Sequence, residues 1–247
     1  MVALFDSAAV ALGSIAAPRV VEGRLTSSIP IDTALAFEGH EDDGTIRLTV
    51  LQHGQTLTSG TISALGSDER RAPAAWSGAD EGWSLPVSEH CLACGALNPL
   101  GLQAGLRFNE HGVWARVAPR APWRAPAGGL HPALGPVLLD EIAWWLGALV
   151  MKEGGLTNRI RVTLLRPEAP WGAPLIAAGR FDAVAPVDRK RTFWRTETAL
   201  MAVDGALLGT ASIVFRGSAE YSARQMEYFR PRTPSEIFRR MFPNYAQ

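Results

Sequence analysis

Two adjacent carboxylic acids, Asp140 and Glu141, interrupt the apolar segment at residues 130–150. A carboxylate among apolar side chains is costly to bury unless it is paired or used. Carboxyl groups are also among the side chains with which proteins transfer protons. We therefore expect a functional site on this segment.

A second candidate is the Cys-x-x-Cys pair of Cys91 and Cys94, which follows His90 directly. Two cysteines are too few for a disulfide scaffold, and a structural zinc site usually takes four ligands from two such pairs. Three interpretations stay open: structural thiols in a loop, which we favour, metal ligands completed from elsewhere, or a redox pair.

Acidic and basic residues balance in this chain of 247 residues, with 24 Lys plus Arg and 24 Asp plus Glu. A net charge of zero argues against a nonspecific nucleic-acid-binding protein. The N-terminus has no cationic segment before its apolar run, and the long apolar segment contains two acids, so neither secretion nor membrane insertion is expected. We predict a globular cytoplasmic protein with no nucleic-acid or membrane partner.

The elements around the two acids follow a simple order. The apolar segment has the length and composition of a helix, and a hairpin at residues 105–108 and 113–117 precedes it. Four segments with strand-like alternation follow it, at residues 157–166, 175–184, 192–203 and 207–215. Short connections favour antiparallel pairing, because parallel strands need crossovers of a dozen residues or more. The pattern predicts an α+β fold in which a helix packs on an antiparallel sheet.

The N-terminal third repeats this order in a shorter form. Residues 4–13 align with residues 138–147, which brings Asp6 onto Asp140. Predicted strands follow at residues 20–27, 34–38, 45–51 and 56–65. We interpret this as an internal duplication whose first copy lacks the leading hairpin. Because Asp6 has no equivalent loop before it, we expect no second active site there.

The duplication divides the chain into four parts. They are a degenerate first copy at 1–66, a linker at 67–88, a complete copy at 89–217 and a tail at 218–247. The tail is predicted to hold one short helix that begins after Thr233 as N-cap and ends near Phe242. Its apolar side chains, Ile237, Phe238, Met241 and Phe242, are expected to dock on the body.

The second copy resembles a known family, the hotdog-fold acyl-CoA thioesterases of the phenylacetate-degradation type. Some branches of that family open with Cys-x-x-Cys-Gly-x-x-Asn-Pro-x-Gly-Leu, which residues 91–102 fit throughout. The family also places an aspartate nine positions after the histidine of a His-Gly-Gly loop, the spacing of His131 and Asp140 here. The resemblance covers residues 89–217, with a weaker echo over 3–66, and implies a double hotdog.

The resemblance implies hydrolysis of an acyl-CoA or another acyl thioester, with Asp140 as general base or nucleophile. Glu141 points about 100 degrees away around the helix and is the less favoured acid. His131 would orient water or substrate, although a plain helix cap is the commoner role. Pro132 and Ala133 replace the family's glycine pair, and proline has no N–H to donate to an oxyanion. The candidate replacements are the Ala133 N–H, the N–H groups at the helix N-terminus from Leu134 to Val137, the side chain of Asn98 and the upstream pair Gly128-Gly129.

Two further groups are candidate substrate contacts. The tryptophans Trp144, Trp145 and Trp123 are suited to line an acyl pocket, although aromatic residues at such spacing are usually core. The basic turn of Arg189, Lys190 and Arg191 is suited to bind coenzyme A phosphates, although a solvated turn is the commoner case. No cofactor and no metal are predicted. A chain with both copies is expected to act as a monomer or as a homo-oligomer.

Two alternatives to hydrolysis remain. One is a non-hydrolytic hotdog protein that binds acyl thioesters, which Pro132 favours because it removes a backbone donor. The other is a hotdog hydratase, dehydratase or cyclase, although the Asp-x-Asn-Pro-x-His type of loop typical of the hydratases is not found in the sequence.

Overall fold

The computed structural model describes residues 3, 5, 6, 16–27, 29, 33–66, 76, 78, 81–166 and 169–246. Within these ranges, a long helix, α1 (Leu134–Met151), packs against one antiparallel sheet. Its strands are β1 (Arg19–Leu25), β2 (Ala36–Asp42), β3 (Thr45–Gln52), β4 (Gln55–Ala64), β5 (Trp83–Ser84), β6 (Leu106–Phe108), β7 (Gly112–Val117), β8 (Gly155–Leu164), β9 (Leu175–Arg180), β10 (Ala185–Pro186), β11 (Phe193–Ala202) and β12 (Leu207–Gly217). The predicted α+β class is confirmed.

Helix α1 forms the core because it is apolar on nearly all sides. It ends at Lys152, whose left-handed backbone (φ 58°) turns the chain so that the Glu153 N–H donates to the carbonyl of Ala148 at 3.1 Å. Gly147 is needed where the helix meets β12, since a Cβ there would lie 2.5 Å from Cγ of Phe215. The helix is long and apolar enough to cross a membrane, but 67% of that stretch is buried inside the protein, which is typical of a core helix.

The strand order shows the duplication. Along the sheet the strands run β2-β3-β4-β1-β8-β12-β11-β9-β7-β6-β5. In each half the first of four strands lies at the centre, followed outward by the fourth, the third and the second. The order is β1-β4-β3-β2 on one side and, with the two-residue β10 left aside, β8-β12-β11-β9 on the other. The hairpin of β6 and β7 extends only the second half. This arrangement confirms the predicted double hotdog with a shorter first copy.

The predicted strand positions hold to within a few residues, with two corrections. The segment expected at 175–184 leaves the sheet after Arg180, where Phe181–Ala183 turns into a 3-10 helix. The segment expected to be a linker, 67–88, includes β5, which pairs with β6 at the sheet edge. The positions 67–75, 77, 79 and 80 lie outside the described residues, and the four-part division remains a prediction.

The tail contains two helices where one was predicted. Helix α2 (Ala219–Phe229) was missed; Ser218 caps it, and the Ser218 hydroxyl oxygen accepts a hydrogen bond from the Tyr221 N–H at 3.3 Å. Helix α3 (Ser235–Met241) is the predicted one, but Pro234 rather than Thr233 precedes it. The Thr233 hydroxyl instead donates to the carbonyl of Phe229 at 2.8 Å. Phe238, Met241 and Phe242 are buried, as expected.

The pairing of β1 with β8 joins the two halves into one sheet. Val21 stands opposite Val162, and Glu22 stands opposite Arg161. The Glu22 carboxylate accepts hydrogen bonds from Arg159, at 2.8 Å, and from Arg161. Burial alone would raise the pKa of Glu22, but the hydrogen bonds and charges of the two arginines lower it below its ordinary 4.5. The junction therefore carries an ion pair on its outer face.

We expect Glu22→Gln to lower the free energy of unfolding by up to about 1 kcal/mol near neutral pH. Since the pKa of Glu22 is lowered in the folded state, this contribution is fully present above the unfolded pKa and is lost as the pH falls through the folded value. Urea unfolding of both proteins at about pH 7 and about pH 3 measures the difference. Glu38→Gln, at an exposed site on β2, serves as the control. A difference that persists unchanged at the acidic pH contradicts the prediction.

Candidate active site

Asp140 lies in the middle of α1 and faces strand β8. Its Oδ1 accepts a hydrogen bond from the Thr157 hydroxyl at 3.1 Å. Burial raises the pKa of Asp140, and the bond from Thr157 offsets part of that rise. The helix and the strand together hold the carboxylate in one orientation.

An apolar cavity opens in front of this carboxylate, and we call it the seam cavity. It encloses about 300 Å³. Its walls come from both halves of the chain: Ala3, Leu25 and Ile29 from the first half, and Pro136, Val137, Asp140, Thr157 and Ile160 from the second. The Asp140 carboxylate is thus a polar group at the junction of the two copies.

A second cavity, which we call the thiol cavity, lies on the other side of Asp140 and encloses about 260 Å³. It is lined by Pro86, Ser88, Cys91, Cys94, Asp140, Glu141, Trp144, Trp145, Tyr221, Gln225 and Phe229. Helix α2 closes it, because Tyr221, Gln225 and Phe229 all belong to that helix. Asp140 therefore contacts two spaces of similar size, one apolar and one lined by titratable groups.

The thiol cavity holds three interacting acidic groups. Cys91 Sγ lies 3.6 Å from Glu141 Oε2, and the indole N–H of Trp145 donates to Glu141 Oε1 at 3.3 Å. The hydrogen bond from Cys94 lowers the pKa of Cys91 to about 5, and the same contact raises the pKa of Cys94. Burial, together with the negative charge of Cys91, raises the pKa of Glu141 to about 8. The three groups therefore perturb one another's pKa values through direct contact.

A larger open groove of about 750 Å³ runs over the outer face of the sheet. Its lining includes three arginines, Arg24, Arg47 and Arg159, together with Glu22, His40 and uncharged residues. None of the predicted catalytic residues lies in its wall, so its size alone does not mark it as the reaction site.

The structure assigns the predicted backbone donors a different role. The Ala133 N–H donates to Nδ1 of His131 at 3.2 Å, and the Leu134 N–H donates to the carbonyl of His131 at 3.0 Å. Both groups close the turn that leads into α1, so neither is directed at a substrate. His131 acts as a cap in this turn, and among the cavities described it lines only a small one of about 20 Å³.

Asn98 is likewise occupied within its own loop. Its Nδ2 donates to the carbonyl of His90 at 3.1 Å, and its Oδ1 accepts from the Leu100 N–H at 3.0 Å. The side chain thus stabilises the turn between Cys94 and Gly101 and lines neither of the cavities that Asp140 faces. The sequence-based role of Asn98 as an oxyanion donor is not supported by this geometry.

Of the three predicted tryptophans, Trp144 and Trp145 line the thiol cavity, and neither lines the seam cavity. Trp145 is 1% exposed and packs on Phe229 and Phe242, with ring centroids 5.6 and 6.4 Å apart, so its main role is in the core. Trp123 is also buried, and its indole N–H donates to the carbonyl of Leu100 at 2.9 Å. Trp123 therefore lines neither of the two cavities that contain Asp140.

The basic turn lies apart from both cavities. Arg189, Lys190 and Arg191 are exposed, and the Arg191 guanidinium stacks on the ring of Trp194 at 5.0 Å from its centroid. None of the three lines a described cavity that contains Asp140. The structure places them on a solvated turn, the commoner case.

Two features of the site were not predicted from the sequence. Thr157 was read only as part of a strand, yet its hydroxyl is the hydrogen-bond partner of Asp140. Tyr221 and Gln225 were missed with α2, although Ser218 followed by apolar residues at helical spacing was an available signal. Burial raises the pKa of Tyr221, and the nearby Glu141 raises it further.

Comparisons with known proteins concern the fold. No protein-family model and no curated protein matches the sequence of this chain. Among solved structures, a hotdog-fold protein of unknown function from Alicyclobacillus acidocaldarius aligns with a TM-score of 0.61 at 16% identity, covering 88% of this chain and 85% of its own. A proposed thioesterase II from Thermobifida fusca YX gives 0.57 at 15% identity, covering 87% and 85%. The tesB protein of Mycobacterium avium subspecies paratuberculosis gives 0.56 at 12%, covering 87% and 84%. Together with the repeated strand order, these likenesses show that the chain has a double hotdog fold.

Proposed function

We propose that the chain hydrolyses an acyl thioester, of the acyl-CoA class, in the seam cavity. The observation that supports this most directly is the position of Asp140, whose carboxylate is oriented by Thr157 in the wall of an apolar cavity between the two copies. A thioester needs such a place for its acyl group and a proton acceptor beside its carbonyl carbon. The thioesterases among proteins of similar fold are consistent with this activity.

In the proposed reaction, the acyl group lies against Leu25, Ile29 and Ile160, which line the seam cavity. Asp140 takes a proton from a water molecule while the water oxygen attacks the carbonyl carbon. The carbon–sulfur bond then breaks, and the thiol leaves with a proton. In the nucleophilic variant, Asp140 attacks the carbonyl carbon itself, the carbon–sulfur bond breaks and the thiolate leaves and takes up a proton. Water then cleaves the resulting anhydride and restores the Asp140 carboxylate. A cavity of about 300 Å³ lies at the small end of ligand sites, which favours short acyl or aryl groups.

A second candidate function is binding of an acyl thioester without hydrolysis. The observation that favours it is that the predicted oxyanion donors are already engaged in other hydrogen bonds or lack an N–H. Ala133 and Leu134 donate their N–H groups within the turn, and Pro132 has none. Loss of one such donor costs about 10²–10³ in turnover in a serine hydrolase. A fold that keeps the cavity without a donor would bind its ligand and release no product.

One experiment separates the two functions. The purified chain is incubated with a panel of acyl-CoAs from acetyl to long-chain and aryl, and free thiol is measured. Binding of a non-cleavable thioether analogue is measured in parallel by calorimetry. Hydrolysis of short acyl or aryl members supports the thioesterase, whereas analogue binding without thiol release supports the binding protein. If neither is observed with any member of the panel, both proposals are wrong.

A further inference from the structure

Cys91, Cys94 and Glu141 bring three potential metal ligands together in the wall of the thiol cavity. Their ligand atoms all lie within 4.8 Å of one another. Tetrahedral zinc with a sulfur ligand at about 2.3 Å and an oxygen ligand at about 2.1 Å requires a sulfur-to-oxygen separation of about 3.6 Å. Cys91 Sγ and Glu141 Oε2 are 3.6 Å apart. The cluster therefore has nearly the dimensions of an assembled metal site.

The loop that carries the cysteines is built as a tight turn. The Gly95 N–H donates to the Cys91 carbonyl at 3.0 Å, and the Ala93 N–H donates to Cys91 Sγ at 3.3 Å. A Cβ at position 95 would lie 2.5 Å from both the nitrogen and the carbonyl oxygen of Cys91, so only glycine fits. The turn fixes the direction of both thiols toward α1.

Glu141 is held from its other side. Trp145, one turn further along α1, donates its indole N–H to Glu141 Oε1 at 3.3 Å, which leaves Oε2 facing Cys91. An outer hydrogen bond to the second carboxylate oxygen is the usual support of a metal-binding carboxylate. Within the described ranges, no lysine, arginine or histidine forms an ion pair with Glu141. A carboxylate that stays charged when buried needs a charged partner or a metal ion.

We propose that Cys91, Cys94 and Glu141 bind a thiophilic divalent cation, zinc, with one ion per chain. Two thiolates and one carboxylate select zinc over magnesium or calcium, which prefer oxygen ligands. Three protein ligands leave a fourth position open to water, and this position faces the thiol cavity. Gln225 lines the same cavity.

A disulfide between Cys91 and Cys94 is the competing chemistry for this pair. A disulfide would use both thiols, but it would not explain why Glu141 is held beside Cys91 by the hydrogen bond from Trp145. The three-residue cluster therefore favours the metal, and disulfide formation becomes an outcome of the test.

The full-length chain is freed of metal with a chelator under reducing conditions and then titrated with zinc against a chromogenic chelator. We expect one zinc ion per chain. Cobalt, used as a spectroscopic substitute, should give the sulfur-to-metal charge-transfer band and the intense visible bands of a tetrahedral thiolate site. Loss of an outer-shell partner weakens a metal site about 10–100-fold, so Glu141→Gln, which removes a direct ligand, should weaken zinc binding at least tenfold.

The matched control is Glu227→Gln, an exposed position on α2, which should bind zinc as the wild type does. Cys91→Ser and Cys94→Ser should lose the cobalt charge-transfer band. Wild-type protein that is folded by circular dichroism and has two free thiols, yet retains no zinc against the chelator, overturns the proposal. So does formation of a Cys91–Cys94 disulfide in air when equimolar zinc is present. Because metal stoichiometry needs no acyl thioester, its failure leaves the proposed hydrolysis untouched.

Discussion

Asp140→Asn is expected to lower acyl-thioester hydrolysis by about 10²–10⁴-fold, the usual contribution of a general base. The amide keeps the shape of the side chain and its hydrogen bond to Thr157, but it accepts no proton from water. The stability of the protein should not fall, because a neutral amide is easier to bury than a carboxylate. The measurement is the rate of thiol release with the best acyl-CoA of the panel, next to the midpoint of thermal unfolding.

Two further variants sharpen this test. Asp43→Asn changes an exposed acid in a turn, where the left-handed backbone (φ 51°) suits asparagine, and should leave the rate unchanged. Thr157→Val removes the hydroxyl that orients Asp140, and it should lower kcat by less than Asp140→Asn does.

Single-turnover hydrolysis in ¹⁸O-labelled water separates the two possible roles of Asp140, general base and nucleophile, since only the nucleophilic route leaves label in its carboxylate. A full rate in Asp140→Asn contradicts both routes.

Arg19→Met is expected to lower the free energy of unfolding by about 3–5 kcal/mol. Arg19 and Asp6 form a buried pair in which Nε and Nη2 donate to the two carboxylate oxygens at 2.7 and 2.9 Å. Asp6 is 1% exposed, so removal of the guanidinium leaves its carboxylate without compensation in the core. Urea unfolding followed by circular dichroism provides the measurement.

The double variant Asp6→Leu/Arg19→Met should recover most of that loss, because replacement of both partners of a buried ion pair by apolar residues is often neutral or stabilising. Arg24→Met, at an exposed position on the same strand, should change stability by no more than about 0.5 kcal/mol. If Arg19→Met unfolds as the wild type does, the pair contributes nothing to the fold. If the double variant is as unstable as the single one, packing of Arg19 rather than its charge is responsible.

The sequence was a good guide to the fold because the relevant signals are local. Alternating apolar residues and short connections marked the strands close to their observed bounds. The helix was equally clear from its composition. Helix α2 was missed because its mean composition is polar and only Met226 and Phe229 among its large apolar side chains are fully buried.

The site was less predictable because it depends on contacts between distant segments. The cost of burying an acid in an apolar helix identified Asp140, a property that can be read from its neighbours in the chain. Its partner Thr157 lies 17 positions away, and the contact between Cys91 and Glu141 spans 50 positions. The Ala133 N–H was expected to be free because a sequence shows which donors exist but not which turn uses them.

The joining of both copies in one polypeptide has a consequence for how the protein has been able to change. In a symmetric dimer of identical subunits, every substitution appears twice. The same position therefore cannot stabilise the fold in one subunit and catalyse a reaction in the other. Here the aligned aspartates have separated: Asp6 is locked in an ion pair with Arg19, whereas Asp140 faces an open cavity. Because the two copies are separate stretches of one chain, a mutation in one half leaves the other half unchanged and can be selected independently.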